Sequence, residues 1–129
     1  MASAIYPRFK EALLEQELAG AISGLNLKVA LIDTGAYTYD AADHFISDIA
    51  TGVVETSGNL TSVTVSTTGT LDAADITITG VSGATVEAVI FYVDTGTPAT
   101  SHLICFIDGL SLTPDGGNVD VTINSIAIL

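Results

Sequence analysis

Two copies of one tripeptide carry the most chemical promise in this chain: Asp33-Thr34-Gly35 and Asp94-Thr95-Gly96. Each follows an apolar run, Val29-Ala30-Leu31-Ile32 before the first and Val89-Ile90-Phe91-Tyr92-Val93 before the second. Two carboxylates brought close enough to share a proton acquire split pKa values, and such a pair can activate water as base and acid. The same residues also suit a strand end that runs into a turn. Asp hydrogen-bonds nearby backbone N–H groups, and Gly accepts positive φ. The two readings differ in one geometric respect, whether the fold brings Asp33 and Asp94 together. The turn reading is the one the rest of the sequence favours.

Asp40, Asp43 and His44 stand at helical spacing i, i+3, i+4, with Asp48 one turn on. On a helix they would offer carboxylates and an imidazole to a cation. They equally fit a solvated acidic face whose first-turn acids complement the helix dipole. The segment Asp115-Gly116-Gly117-Asn118-Val119-Asp120 is too short for an EF-hand loop, and no metal site is expected. Cys105, the single cysteine, lies within Leu103-Ile104-Cys105-Phe106-Ile107 and reads as a buried structural thiol. His102, three residues away on a strand, points to the opposite face. The chain contains no Gly-x-Ser-x-Gly elbow, no phosphate-binding Gly-Lys loop and no Gly-x-Gly-x-x-Gly. No catalytic residue and no cofactor are expected.

The segment Leu31-Ile32-Asp33-Thr34-Gly35-Ala36 resembles the catalytic segment of the retroviral-type aspartic proteases, short chains that dimerise to pair their aspartates. That family's later hydrophobic-hydrophobic-Gly motif, followed by Arg, has no counterpart here, and no arginine follows Arg8. Pairing both copies within one chain, as the two-lobed enzymes do, would need two domain-sized lobes. Protease activity is the remote alternative.

Fifteen acids face three bases, giving a formal net charge of −12, and Arg8, Lys10 and Lys28 all lie near the start. Nucleic-acid and anionic-membrane partners are therefore not expected, since both would be repelled. No apolar stretch approaches the ~20 residues needed to span a bilayer. The first residues lack the basic and apolar regions of a signal peptide. Asn59-Leu60-Thr61 fits a glycosylation sequon, which carries no weight without secretion.

Residues 7–19 read as an amphipathic helix, with Phe9, Leu13, Leu14 and Leu18 on one face and Pro7 at its start. Residues 25–32 read as a strand, and residues 38–49 contain a second short helix. From Val53 onward the pattern is β. Val63 and Val65, Ile76 and Ile78, and Val119, Val121 and Ile123 alternate with polar residues as in half-buried strands. Residues 86–93 and 103–107 are almost continuously apolar and should pair as a hairpin at the centre of a sheet. Turn clusters stand at 57–59, 80–83, 95–101 and 113–118. Asp40-Ala41-Ala42-Asp43 recurs as Asp72-Ala73-Ala74-Asp75, but the flanks do not match and no repeat array is expected. The expected fold is mainly β, a single domain over residues 1–129. It is an antiparallel β-sandwich or barrel-like domain with an N-terminal amphipathic helix and a second short helix.

In order along the chain, several segments resemble a family of small virion structural proteins of tailed bacteriophages and prophages. They are Ala4-Ile5-Tyr6-Pro7-Arg8-Phe9-Lys10-Glu11-Ala12-Leu13-Leu14, Leu27-Lys28-Val29-Ala30-Leu31-Ile32-Asp33-Thr34 and Tyr37-Thr38-Tyr39. Leu71-Asp72-Ala73-Ala74-Asp75, Tyr92-Val93-Asp94-Thr95-Gly96 with Ala99-Thr100-Ser101, residues 103–108 and Thr113-Pro114-Asp115-Gly116-Gly117 continue the likeness. The resemblance implies a non-enzymatic component of the virion. A capsid decoration or cement protein bound noncovalently to the major capsid protein is the first expectation, and a neck, tail or fibre-associated subunit is the second. A symmetric homo-oligomer, a trimer, is expected. The candidate interface residues are Ile126, Ile128 and Leu129 at the apolar C-terminus, with Tyr37 and Tyr39, which alternate on an extended stretch beside a loop and could instead pack on their own domain.

Overall fold

Val86–Val93 has only one polar residue, Glu87, and its other seven residues are all buried. A strand so apolar needs cover on both faces and hydrogen bonds on both sides, and it finds them at the centre of the sheet. A computed structural model describes residues 4–15, 24–123 and 126–127. Its elements are β1 (Ala4–Ile5), α1 (Pro7–Leu14), β2 (Leu27–Ile32), β3 (Val53–Thr56), β4 (Thr64–Val65) and β5 (Thr70–Asp72). They continue with β6 (Ile76–Ile78), β7 (Val86–Val93), β8 (Leu103–Leu112), β9 (Val119–Val121) and β10 (Ile126–Ala127). The main sheet is antiparallel and runs β1-β8-β7-β2-β3. Two smaller sheets are ordered β10-β5-β4 and β6-β9. The expected β7/β8 hairpin is present, with Ile90 opposite Phe106 and Val89 opposite Ile107.

Residues paired directly across neighbouring strands share a face. Ala30, Ile90 and Phe106 therefore look one way, and Leu31, Val89 and Ile107 the other. The first face is covered by α1 and the tyrosine-bearing loop, through ring contacts of Tyr37 and Tyr39 with Phe106. Facing the second are β9 and the segment around Ile123 and Ile126. One apolar cluster runs through the whole, from Tyr6 and Phe9 to Ile123. The fold is thus mainly β with an antiparallel multi-strand sheet and two helices, and the sheet does not close into a barrel.

Four local expectations change. The first helix is described from Pro7 to Leu14, and residues 16–19, with Leu18, lie outside the described residues. Its inner face is Phe9 and Ala12, while Leu14 is 80% exposed. The second helix is a 3-10 segment over Ile46–Gly52, later than expected. Residues 38–45 form an irregular loop, because Asp40 closes a local turn by accepting the Ala42 N–H at 2.8 Å. Finally, β8 extends to Leu112. Val86 pairs with Leu112 but Ala88 with Asp108, so β8 bulges over 109–111, and Gly109 takes φ +95 there.

Candidate functional site

Asp33 and Asp94 leave the same antiparallel pair, β2/β7, in which Leu27 faces Val93 and Ile32 faces Ala88. Asp33 therefore sits beyond one end of the pair and Asp94 beyond the other, a separation on the order of 20 Å at ~3.4 Å per residue. The two cannot share a proton within one chain. Each carboxylate instead builds its own turn. Asp33 Oδ1 accepts the Gly35 N–H at 2.8 Å, and Asp94 Oδ1 accepts the Gly96 N–H at 3.0 Å. The first turn is further tied down. The Asp33 carbonyl accepts the Ala36 and Tyr37 N–H groups, and Thr34 donates both its N–H and its hydroxyl to Glu87 Oε1 at 3.0 and 2.9 Å. In the second, Asp94 Oδ2 lies 2.7 Å from Lys28 Nζ. This hydrogen bond and the Gly96 N–H hold the Asp94 carboxyl below its usual pKa.

The loop after Asp33 is organised by Tyr37, whose ring is buried at 7% exposure. Gly52 makes room for it, since a Cβ there would collide with Tyr37 Cβ. The Tyr37 hydroxyl donates to Asp43 Oδ2 at 2.7 Å and, on its other side, lies 2.7 Å from the fully buried Tyr6 hydroxyl. Burial, foremost, pushes both phenols far above their ordinary pKa, so both stay protonated. Burial also raises the Asp43 carboxyl. Tyr39 packs on Tyr6 and Phe106 at ring-centroid distances of 5.0 and 5.5 Å. Of these two interface candidates, Tyr37 is therefore part of the core, and Tyr39, half-buried, stands at its margin. Tyr6 had no sequence signal beyond its position before Pro7, and Glu87 none beyond being the lone charge in an apolar strand.

The metal reading of Asp40, Asp43 and His44 falls with the helix that would have aligned them. Asp43 is engaged by Tyr37, and Asp48 accepts the His44 and Phe45 N–H groups, both at 2.9 Å. Among the described residues no group of three or more His, Cys, Asp or Glu is placed to hold a metal. His44 stacks on Phe45 at 3.8 Å, and its ring lies 4.9 Å from that of His102. Cys105 is 1% exposed, and burial pushes its thiol up to about 12, which removes the thiolate needed for nucleophilic work.

Ile126 is half-buried and pairs with Leu71, so the C-terminal strand belongs to the domain's own small sheet, at its outer margin. Ile128 and Leu129 lie outside the described residues. Two apolar side chains stand in solvent beside these margins, Val65 on β4 and Leu110 on the β8 bulge, 51% and 42% exposed. Sequence alternation placed Val65 on a strand, but which face it shows depends on the partner layer. No helix of the described residues is long and apolar enough to cross a membrane. The chain matches no protein-family model and no curated protein.

Proposed function

We propose that this chain is a non-enzymatic virion structural subunit of a tailed bacteriophage or prophage, a capsid decoration or cement protein that binds the head by noncovalent contacts. One observation supports this reading before all others. The side chains with chemical potential, Asp33, Asp94, Asp43, Tyr37 and Cys105, are engaged in turns or buried in the core. What the described surface offers instead is short strands that pair on one side and isolated apolar residues, the equipment for adding to other subunits. The ordered segments that resemble virion proteins point the same way. Its partner is the major capsid protein, and the chain acts as a symmetric homo-oligomer, a trimer, in the virion.

Counting this chain by quantitative mass spectrometry in purified particles tests the proposal. Copies in proportion to the capsid protein are expected. A single ring's worth would move the chain to the neck, tail or fibres. Its absence from particles would overturn the virion reading.

A further inference from the structure

A cavity of about 520 Å³ opens between the second face of the main sheet and the β9–β10 region. Its floor is fully inside the protein: Leu31, Val86, Val89 and Phe91 are all at most 5% exposed. Val121, Ile123 and Ile126 line it from the opposite layer. Its polar lining residues, Ser111, Asp120 and Thr122, are exposed and so mark the mouth. There too stands Leu110, carried outward by the bulge in β8. Bulges recur beside functional sites, where they re-aim a side chain.

We propose that this cavity binds one elongated, uncharged apolar molecule, its hydrocarbon body against Val89, Phe91 and Val121 and a hydroxyl-type head at Ser111 and Thr122. Size is the first argument. The volume lies within the range of small-molecule sites, with the mostly apolar lining and few polar groups typical of them. A cavity of ~150 Å³ holds a benzene, so this one takes roughly twenty non-hydrogen atoms. That exceeds any one side chain a flat partner surface could insert. Energy is the second. Filled with water, its apolar walls forgo the burial that built the rest of the core. Charge is the third. Among the described residues no lysine, arginine or histidine lines the site, and Asp120 is the single ionisable one. The Asp120 carboxylate is held by the Thr77 hydroxyl at 2.7 Å, and a carboxylate or phosphate head would find no cationic partner among these residues. The site does not rest on the virion reading and would stand on a chain of any role.

The experiment titrates the full chain with the uncharged fluorophore N-phenyl-1-naphthylamine. Saturable one-to-one binding is expected, with Kd on the order of tens of micromolar for a ligand of this size. 1-Dodecanol should displace the probe at least tenfold better than dodecanoate. Val121→Phe, which fills the cavity, should weaken binding at least tenfold while the protein melts no lower than wild type. Leu110→Ser, at an exposed position, should weaken it several-fold at unchanged Tm. Absence of saturable binding would overturn the proposal, as would equal displacement by dodecanoate. So would a folded Val121→Phe with wild-type affinity or, should that variant not fold, an unchanged Leu110→Ser. A concentration-dependent dimer dissolved by Val121→Phe, with no probe binding, would assign the cavity to a second copy instead and equally overturn it.

Discussion

In β7 every residue but Glu87 is buried, and hydrogen-bonded strands flank it on both sides. In β9 no residue is fully buried, and pairing is limited to three positions of β6. The contrast divides the molecule. The β2–β7–β8 sheet removes apolar surface from water on both faces, and that term carries the stability of the domain. Among the described residues the small sheets have two and three strands, and β4, β6, β9 and β10 each pair with one neighbour, so their outer edges are where further strands could add. The subunit role proposed above would draw on both: a rigid interior that holds its shape and a periphery with surface still to bury.

The largest expected effect comes from placing a charge on each side of this division. Ile104 is 0% exposed in the middle of β8. Ile104→Asp should cost about 4 kcal/mol or more and abolish soluble expression, because the carboxylate finds no partner. Val65→Asp in β4, a small-sheet position 51% exposed, should leave a soluble, folded protein by circular dichroism. Equal loss in both would erase the distinction between the two regions.

Next in size is the hydroxyl chain that ties β1 and α1 to the loop. Tyr37→Phe strips Asp43 of its donor and leaves the fully buried Tyr6 hydroxyl without its partner. A loss of about 1–3 kcal/mol in urea unfolding is expected. A neutral result would mean that water replaces the phenol and that the loop is not anchored through it.

The sequence was most legible where burial is two-sided. Val86–Val93 emerged with its true bounds because an unbroken apolar run has only one comfortable environment. The strand read over residues 25–32, which forms at Leu27–Ile32, and the hairpin pairing followed from the same logic. Legibility failed where polar side chains choose between local partners. Asp40, Asp43 and His44 have helical spacing, but Asp40 closes a turn and Asp43 is drawn to a tyrosine hydroxyl, so helical periodicity there had no energetic backing. β8 was read five residues short, since Asp108-Gly109 looks like a terminus and is a bulge. β1, two residues long, carries no periodic signal at all. Of the candidate interface, Ile126 lies at the outer margin of a small sheet, paired with Leu71, whereas the inward turn of Tyr37 depends on the space left by Gly52, fifteen residues away.

A smaller effect should appear in acid. Asp94 is held below its usual pKa by Lys28 and then by the Gly96 N–H. Its folded value lies under its unfolded one, so its contribution is complete above about pH 4 and disappears as pH falls through the folded value. The pair is partly exposed, and about 0.5–1 kcal/mol is the expected size. Asp94→Asn should therefore destabilise at neutral pH and converge on wild type at strongly acidic pH. Asp43, raised by burial, has the opposite sign: its neutral form is favoured in the fold, and ionisation costs stability as pH rises. A gap between Asp94→Asn and wild type that widened in acid would contradict this assignment.

The smallest effect is at Asp33. An asparagine keeps an oxygen for the Gly35 N–H, so Asp33→Asn should change stability by only a few tenths of a kcal/mol. Neither wild type nor variant should cleave peptides at acidic pH. Cleavage by wild type, lost in Asp33→Asn, would make this turn half of a dyad formed between two chains.

The most direct test of the division, and of the proposed virion role with it, is hydrogen exchange followed residue by residue, first on the isolated chain and then on the chain mixed with phage particles. The account predicts that β2, β7 and β8 exchange only through global unfolding in both states. β4, β5, β9 and β10 should exchange faster in the isolated chain and slow by at least tenfold on the particle. Uniform protection of both regions in the isolated chain, unchanged on the particle, would contradict it.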